Sequence, residues 1–405
     1  MAKNQRSSLF ILFTTVLTDL IGFGMVIPLI GLYGLHYEAH GLQLPILGGI
    51  YSFMQFLFSP IWGYISDRVG RRPILLLSLA GSTLSYLIFG LAPNYSWLLI
   101  SRAFGGIFAA NISTAQAYVA DVTSPAERAK GMGLIGAAFG IGFTLGPPLG
   151  GIASAQLGLA APGLIASGIC GLNLLLAIFR LPESLAPENR QTQKTQRKRT
   201  LLPLNLPQLM ASLLKKEELG FFLITFFLVT FAFSILEQTF SLLFQVKFHL
   251  ETGEAGLKTG FILMTAGVLG ALVQGGLIRR LVPRFGERKL LFAGLIFNLI
   301  AIVLFPFMTS YPPYFILSIP LALGSALINP SLSALISQSV GVRDQGSVLG
   351  LSQGLGSLAR AGGPFCGLLT FAIRPELPYF IAGCITLSLV VLSPKLILKR
   401  PFNHE

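Results

Sequence analysis

The chain has 405 residues, of which 53% are hydrophobic and 11% charged, with a mean hydropathy of +0.72. That much apolar surface excludes a soluble globular protein, because long uncharged runs recur along the whole length and each is long enough to cross a hydrocarbon core of roughly 30 Å. The formal net charge of +13 would suit a nucleic-acid binder, but its distribution along the chain excludes that reading.

In chain order, hydropathy predicts twelve membrane-spanning helices. They cover about 9–34, 44–65, 73–92, 96–119, 130–153, 161–180, 219–246, 259–280, 289–308, 312–337, 347–372 and 377–397. The expected class is therefore an all-α membrane protein. The first run is too long for a cleavable signal peptide and contains Asp19 and Pro28. With the N-terminus placed in the cytosol, 24 of the 29 Lys and Arg fall in cytosolic segments. The opposite side holds Lys247, Lys258 and Arg374, and the spans hold Arg102 and Arg360. This asymmetry predicts that both termini are cytosolic by the positive-inside rule. A multi-pass protein of a bacterial inner membrane, bound to lipid and not to nucleic acid, is expected.

The first span contains "LTDLIGFGMVIPLI" (17–30), with Asp19 in an apolar setting. After the second span comes "GYISDRVGRRP" (63–73). Gly63 allows close packing at the helix end, and Gly70 allows a tight turn. Asp67 can cap a helix or pair with an Arg of a neighbouring helix. Arg68, Arg71 and Arg72 sit at headgroup level, so this stretch reads as a structural latch. The fifth span contains "GFTLGPPLGG" (142–151), in which Gly142, Gly146, Gly150 and Gly151 allow backbone approach and Pro147 bends the helix.

Residues 182–218 are polar and basic, and predict a cytosolic linker with a short surface helix near 203–216. They separate a bundle at 1–181 from one at 219–405. The halves repeat: "GLIRRLVPRFGERK" (276–289) answers the loop at 63, "VRDQGSVLG" (342–350) answers "ERAKGMG" (127–133), and Gly363-Pro364 answers Gly146-Pro147. The offsets are 213, 215 and 217 residues. Parallel repeats of this kind place a cavity between the halves near the bilayer midplane.

These motifs in combination resemble the major facilitator superfamily. "GYISDRVGRR" is similar to its signature loop. "GFTLGPPLGG", "SRAFGGIFAA" around Arg102, "LTDLIGFGMVIP" and "RLPES" (180–184) resemble motifs of the twelve-helix drug/proton antiporters, nearest to the tetracycline/proton group. The resemblance implies two pseudo-symmetric six-helix bundles and a proton-coupled carrier. Such a carrier exports a drug-like or amphipathic small molecule by alternating access, with no cofactor, no metal and no enzymatic step, as a monomer. A carrier of a metabolite, sugar, peptide or siderophore is the alternative. A non-transporting receptor or scaffold would have little reason to keep buried charges. Two departures weigh against tetracycline–metal chelates: the ninth span offers Asn298 where those exporters carry an acid, and the eighth has Gln274 and no His. The second copy of the signature loop carries Arg279, Arg280 and Arg284 without an aligned acid.

Asp19, Arg102, Glu237 and Arg360 lie well inside spans. Each would cost on the order of 2.5–3.5 kcal/mol or more facing lipid, so each is expected to face the interior. Asp19 is read as a proton site, with a structural pairing to Arg102 as the alternative. Glu237 is open between a second proton site, a contact for a cationic drug and a partner for Arg360. Arg360 is open between an anionic substrate group and Glu237. On an uninterrupted helix, Arg102, Gly106, Ala109, Ser113 and Gln116 would share one face. Gln55, Gln116, Gln274, Asn298, Asn329 and Gln353 are candidates to line the cavity. His36 and His40 lack a third ligand for a metal, and Cys170, Cys366 and Cys384 read as small packing groups.

Overall fold

The structure is a computed structural model, and it describes residues 3–109, 111–123, 125–185, 217–340 and 345–393. The predicted linker helix near 203–216 lies outside the described residues. All regular structure among the described residues is helical. The first half comprises α1 (Lys3–Val26), α2 (Ile30–His36), α3 (Gln43–Val69), α4 (Arg71–Gly90), α5 (Tyr95–Phe108), α6 (Asn111–Val122), α7 (Pro125–Leu157) and α8 (Ala161–Arg180). The second comprises α9 (Glu217–Phe248), α10 (Thr252–Leu272), α11 (Ile278–Phe285), α12 (Glu287–Leu304), α13 (Pro313–Gln338), α14 (Gln345–Ile373) and α15 (Leu377–Leu392).

Nine segments among the described residues are long and apolar enough to cross a membrane by length and composition. The fourth span (α5 with α6), the eleventh (α14) and the twelfth (α15) complete two six-helix bundles. Three spans are interrupted, each for a local reason. Pro28 lacks an amide hydrogen, and the first span passes through a 3₁₀ turn at Ile27–Leu29 before α2. The eighth contains a π-helical turn at Val273–Leu277, which includes Gly275 and Gly276. The fourth breaks after Phe108, where Ala109 leaves the helix at φ −73°, ψ 45°.

The loops fall at two ends. The end from which residues 181–217 depart is called the linker side here, and the other the far side. The halves meet at the far side through small residues. A β-carbon at Gly151 would lie 2.6 Å from the Gly256 carbonyl oxygen, and one at Gly260 would lie 2.7 Å from the Pro147 carbonyl oxygen. A β-carbon at Gly48 would lie 2.8 Å from Pro364, and one at Gly49 would lie 2.5 Å from the Ala361 carbonyl oxygen. The Ser241 hydroxyl of α9 donates to the carbonyl of Pro28. At the linker side the corresponding faces stand apart: Gly63, Gly136, Gly140, Gly275, Gly276 and Gly350 have open space where a side chain would be. The molecule is therefore closed at the far side and open towards the linker side.

That opening corrects the expectation for Gly63, which was to pack closely. It borders open space in this conformation. Gly70 behaves as expected. Its φ of +123° strains any L-residue, and it both ends α3 and starts α4.

Candidate functional site

At the closed end of the opening lie the buried charges. Asp19 on α1 is 3% exposed. The hydroxyl of Ser82 on α4 donates to its Oδ1 at 2.9 Å, and Tyr86 donates to its backbone carbonyl at 3.5 Å. Tyr86 reaches this position because Gly22 leaves room: a β-carbon there would come within 2.8 Å of the ring.

Arg102 on α5 is 2% exposed. Its guanidinium carbon lies 4.5 Å from the ring centroid of Tyr51 on α3, a cation–π contact strengthened by burial. Its Nε and Nη2 have no hydrogen-bond partner. The ion pairs among the described residues do not include Asp19 with Arg102 or Glu237 with Arg360. The direct Asp19–Arg102 pairing considered from sequence is thus not made in this conformation, where Tyr51 occupies the guanidinium face. The two charges interact across the core instead.

Glu237 on α9 is 9% exposed and stands 218 residues after Asp19, close to the repeat offset. It interacts electrostatically with both Arg360 and Arg102. Arg360 on α14 is partly buried and donates to Ser357 Oγ at 3.2 Å. Tyr51, whose ring carries the Arg102 guanidinium, stands among these groups. The four intramembrane charges therefore form one electrostatic cluster that crosses both halves. Tyr51 was not singled out from sequence. The available signal was its place one turn before Gln55 on the same helix face.

The amide candidates divide. Gln274 and Gln353 are exposed where the halves have separated. Gln274 follows the seven-residue row Gly253, Gly260, Gly267 of α10 in sequence and lies in the π-helical turn. Gln55 is partly buried, and its Nε2 donates to the Ala109 carbonyl at 3.3 Å, so it serves the backbone in this state. Asn298 is 5% exposed and packs where α12 crosses α13 at Gly324, off any open face. Asn329 is exposed on α13, and Gln116 is partly buried on α6. The single polar stripe expected from Arg102 to Gln116 assumed a continuous helix. The break after Phe108 interrupts its phase.

The signature loop forms a buried network at the linker side. Arg71 Nη1 lies 2.5 Å from Asp67 Oδ1, and Arg71 Nε lies 3.2 Å from Asp121 Oδ2 on α6. Ser66 Oγ accepts from Arg71 at 2.7 Å. The first amides of α4 need acceptors, and Glu183 supplies one. Its Oε1 accepts from the backbone N–H of Arg71 at 2.9 Å and of Arg72 at 3.5 Å. Arg72 also donates to the Ile178 carbonyl at 2.7 Å, and Arg68 stacks 3.9 Å from the Tyr64 centroid. "RLPES" thus acts as a cap for α4.

In the fifth span, glycines on one face of α7 receive α1. A β-carbon at Gly142 would lie 2.6 Å from Leu20, one at Gly146 would lie 2.7 Å from Gly24, and one at Gly150 would collide with the Met25 carbonyl oxygen. Gly151 instead faces α10, and Pro147 meets both, its ring against Gly24 of α1 and its carbonyl against Gly260 of α10. One helix therefore fastens the first span and carries the far-side seam.

Two parallel-repeat bundles, a one-sided opening and a charge cluster at its closed end are the architecture of a membrane transporter. Comparison with known proteins agrees. The profile of the Major Facilitator Superfamily matches residues 12–284 and 276–405, and the chain belongs to that superfamily of transporters. It is 32% identical to the class C tetracycline resistance protein of Escherichia coli, over 89% of this chain and 88% of that protein. It is 29% identical to multidrug resistance protein 2 of Bacillus subtilis, over 95% and 93% respectively. The crystal structure of the human organic anion transporter MFSD10 superposes with a TM-score of 0.70 at 28% identity, covering 96% of this chain and 99% of that one.

Proposed function

We propose that the protein is a proton-coupled exporter of an amphipathic small molecule, operating as a monomer in a bacterial inner membrane with the linker side in the cytosol. One observation carries this reading: Asp19, Arg102, Glu237 and Arg360 form a single cluster joining both halves at the closed end of the opening. A carboxyl group that gains or loses a proton there changes the balance of charge between the halves. That gives the two access states different affinities for the proton, as coupling requires. Asp19 is the principal proton site and Glu237 its counterpart in the second half. Names of relatives that include tetracycline and multidrug resistance support export. The Lys/Arg asymmetry supports the orientation, and the bundles at 1–181 and 219–405 move as the two bodies, joined by 182–218.

The test is transport in proteoliposomes carrying an internal pH indicator, with a panel of cationic, neutral and anionic amphiphiles. Wild-type protein should couple uptake of at least one compound to proton movement, and Asp19→Asn should abolish the coupled flux. Substrate-driven proton flux that survives Asp19→Asn unchanged sinks the proton role.

A second reading concerns substrate charge. Arg102 Nε and Nη2 are buried without acceptors, and such donors are costly to leave unmatched. An anionic substrate group would satisfy them, and MFSD10, which shares the fold, is an organic anion transporter. The anionic members of the panel decide it: if none moves, this reading fails.

A further inference from the structure

At the break in the fourth span three successive carbonyls each accept a hydrogen bond from a side chain of another helix. Trp62 Nε1 on α3 donates to the Ile107 carbonyl at 2.6 Å. Ser78 Oγ on α4 donates to the Phe108 carbonyl. Gln55 Nε2 on α3 donates to the Ala109 carbonyl at 3.3 Å. An unmet carbonyl in hydrocarbon costs several kcal/mol, so three matched donors mark a built discontinuity. The Phe108 ring sits in a notch at Gly81, where a β-carbon would collide with it. Trp62, Ile74, Leu77, Ser78 and Phe108 line a crevice beside it.

The two sides of the break are fastened to different things. Helix α5 is held to its neighbours at Arg102 level: Ser85 Oγ donates to the Ser101 carbonyl at 2.8 Å, and Gly106 abuts the Tyr51 backbone. Helix α6 ends in the signature-loop network, where Asp121 meets Arg71, and Tyr118 donates to the Pro182 carbonyl at 2.8 Å. About ten residues separate the break from Asp121, or about 15 Å of helix. A turn of about 15° at the break would therefore carry Asp121 about 4 Å, enough to part it from Arg71.

We propose that Gln55, Trp62 and Ser78 are positioning residues for transport: they hold the fourth span broken when the carrier is open to the linker side, and release it to a continuous helix when that side closes. This ties the charge cluster on one side of the break to the gate network on the other. It requires no particular substrate or coupling ion, so it stands or falls separately from the function proposed above.

The experiment measures the distance across the linker side by spin-label spectroscopy. Labels are placed at Val69→Cys and Arg284→Cys, both exposed, in a chain whose Cys170, Cys366 and Cys384 are replaced by Ser. Trp62→Phe with Ser78→Ala removes two donors and keeps the ring. The ratio of short to long distances should rise on the order of fivefold for each lost hydrogen bond. Ser78→Thr, which keeps the hydroxyl, should leave the ratio as in the parent. If the bonds are merely structural, the thermal midpoint falls while the ratio stays constant, and the proposal is overturned. It is overturned equally if Ser78→Thr shifts the ratio as far as Ser78→Ala. Should the double variant not fold, Gln55→Met and Ser78→Ala are read singly by the same criteria.

Discussion

The two copies of the signature loop occupy equivalent corners of the two bundles but are built differently. In the first, Arg71 and Asp67 are nearly buried, and Asp121 and Glu183 come from two other helix ends. In the second, Gly286 makes the same kind of turn at φ +76°, but Arg279, Arg280 and Arg284 are exposed. Arg288 makes a part-exposed pair with Glu218 at 3.0 Å. Among the described residues, the same chain geometry thus carries a buried network in one half and a part-buried pair in the other. A buried ion pair is costly to break because it leaves a charge behind, and the cost falls as the pair is more open to water. The difference suits a carrier in which one corner is the latch and the other an ordinary basic, membrane-facing loop.

This contrast can be broken in order of size. Arg71→Met removes the cation paired with Asp67 and Asp121 and should cost about 3–5 kcal/mol, seen as the largest fall in thermal midpoint of any single change in either loop. Gly70→Ala and Gly286→Ala force a β-carbon into positive φ and should cost about 1–2 kcal/mol each. Near equality of the two would show that the turns themselves are equivalent, and a Gly286→Ala cost matching that of Arg71→Met would remove the contrast. Glu183→Gln keeps an acceptor for the α4 amides but loses its charge, and should cost about 0.3–1 kcal/mol. Arg288→Met should cost at most about 1 kcal/mol, with an effect that shrinks as salt is raised. A midpoint loss from Arg288→Met as large as that from Arg71→Met would mean that the second corner is a latch too.

Much of the fold was legible because bilayer thickness and the cost of lipid-facing charge act directly on composition. Span count, repeat offset, the Gly70 turn and the close backbone approach at the glycines of α7 all follow from local rules. The pairing within the site was not legible. Asp19 and Arg102 have opposite charges at similar depth, so sequence offers them to each other. Only the fold shows Tyr51 under the guanidinium and Ser82 on the carboxylate. The break after Phe108 was hidden as well. Its cause is tertiary: three donors from α3 and α4 make a non-helical Ala109 tolerable, while "AFGGIFAA" has no proline to announce it. Asn298 shows the converse limit. A polar residue in a span is as well suited to a helix crossing as to a cavity.

The row Gly253, Gly260 and Gly267 on α10, followed by Gln274 in the π-helical turn, has a mechanical consequence. Its glycines touch α7 closely, and Gln274 stands over the open gap. A seam of such small side chains has almost nothing to interdigitate, so its contact point can roll along the helix, like a rocker on a floor. Rolling exchanges one set of backbone contacts for another of similar kind, which keeps the two tilts of the molecule close in free energy. A nearly level rocker is tipped by a small weight, and a single charge crossing 100 mV supplies about 2.3 kcal/mol.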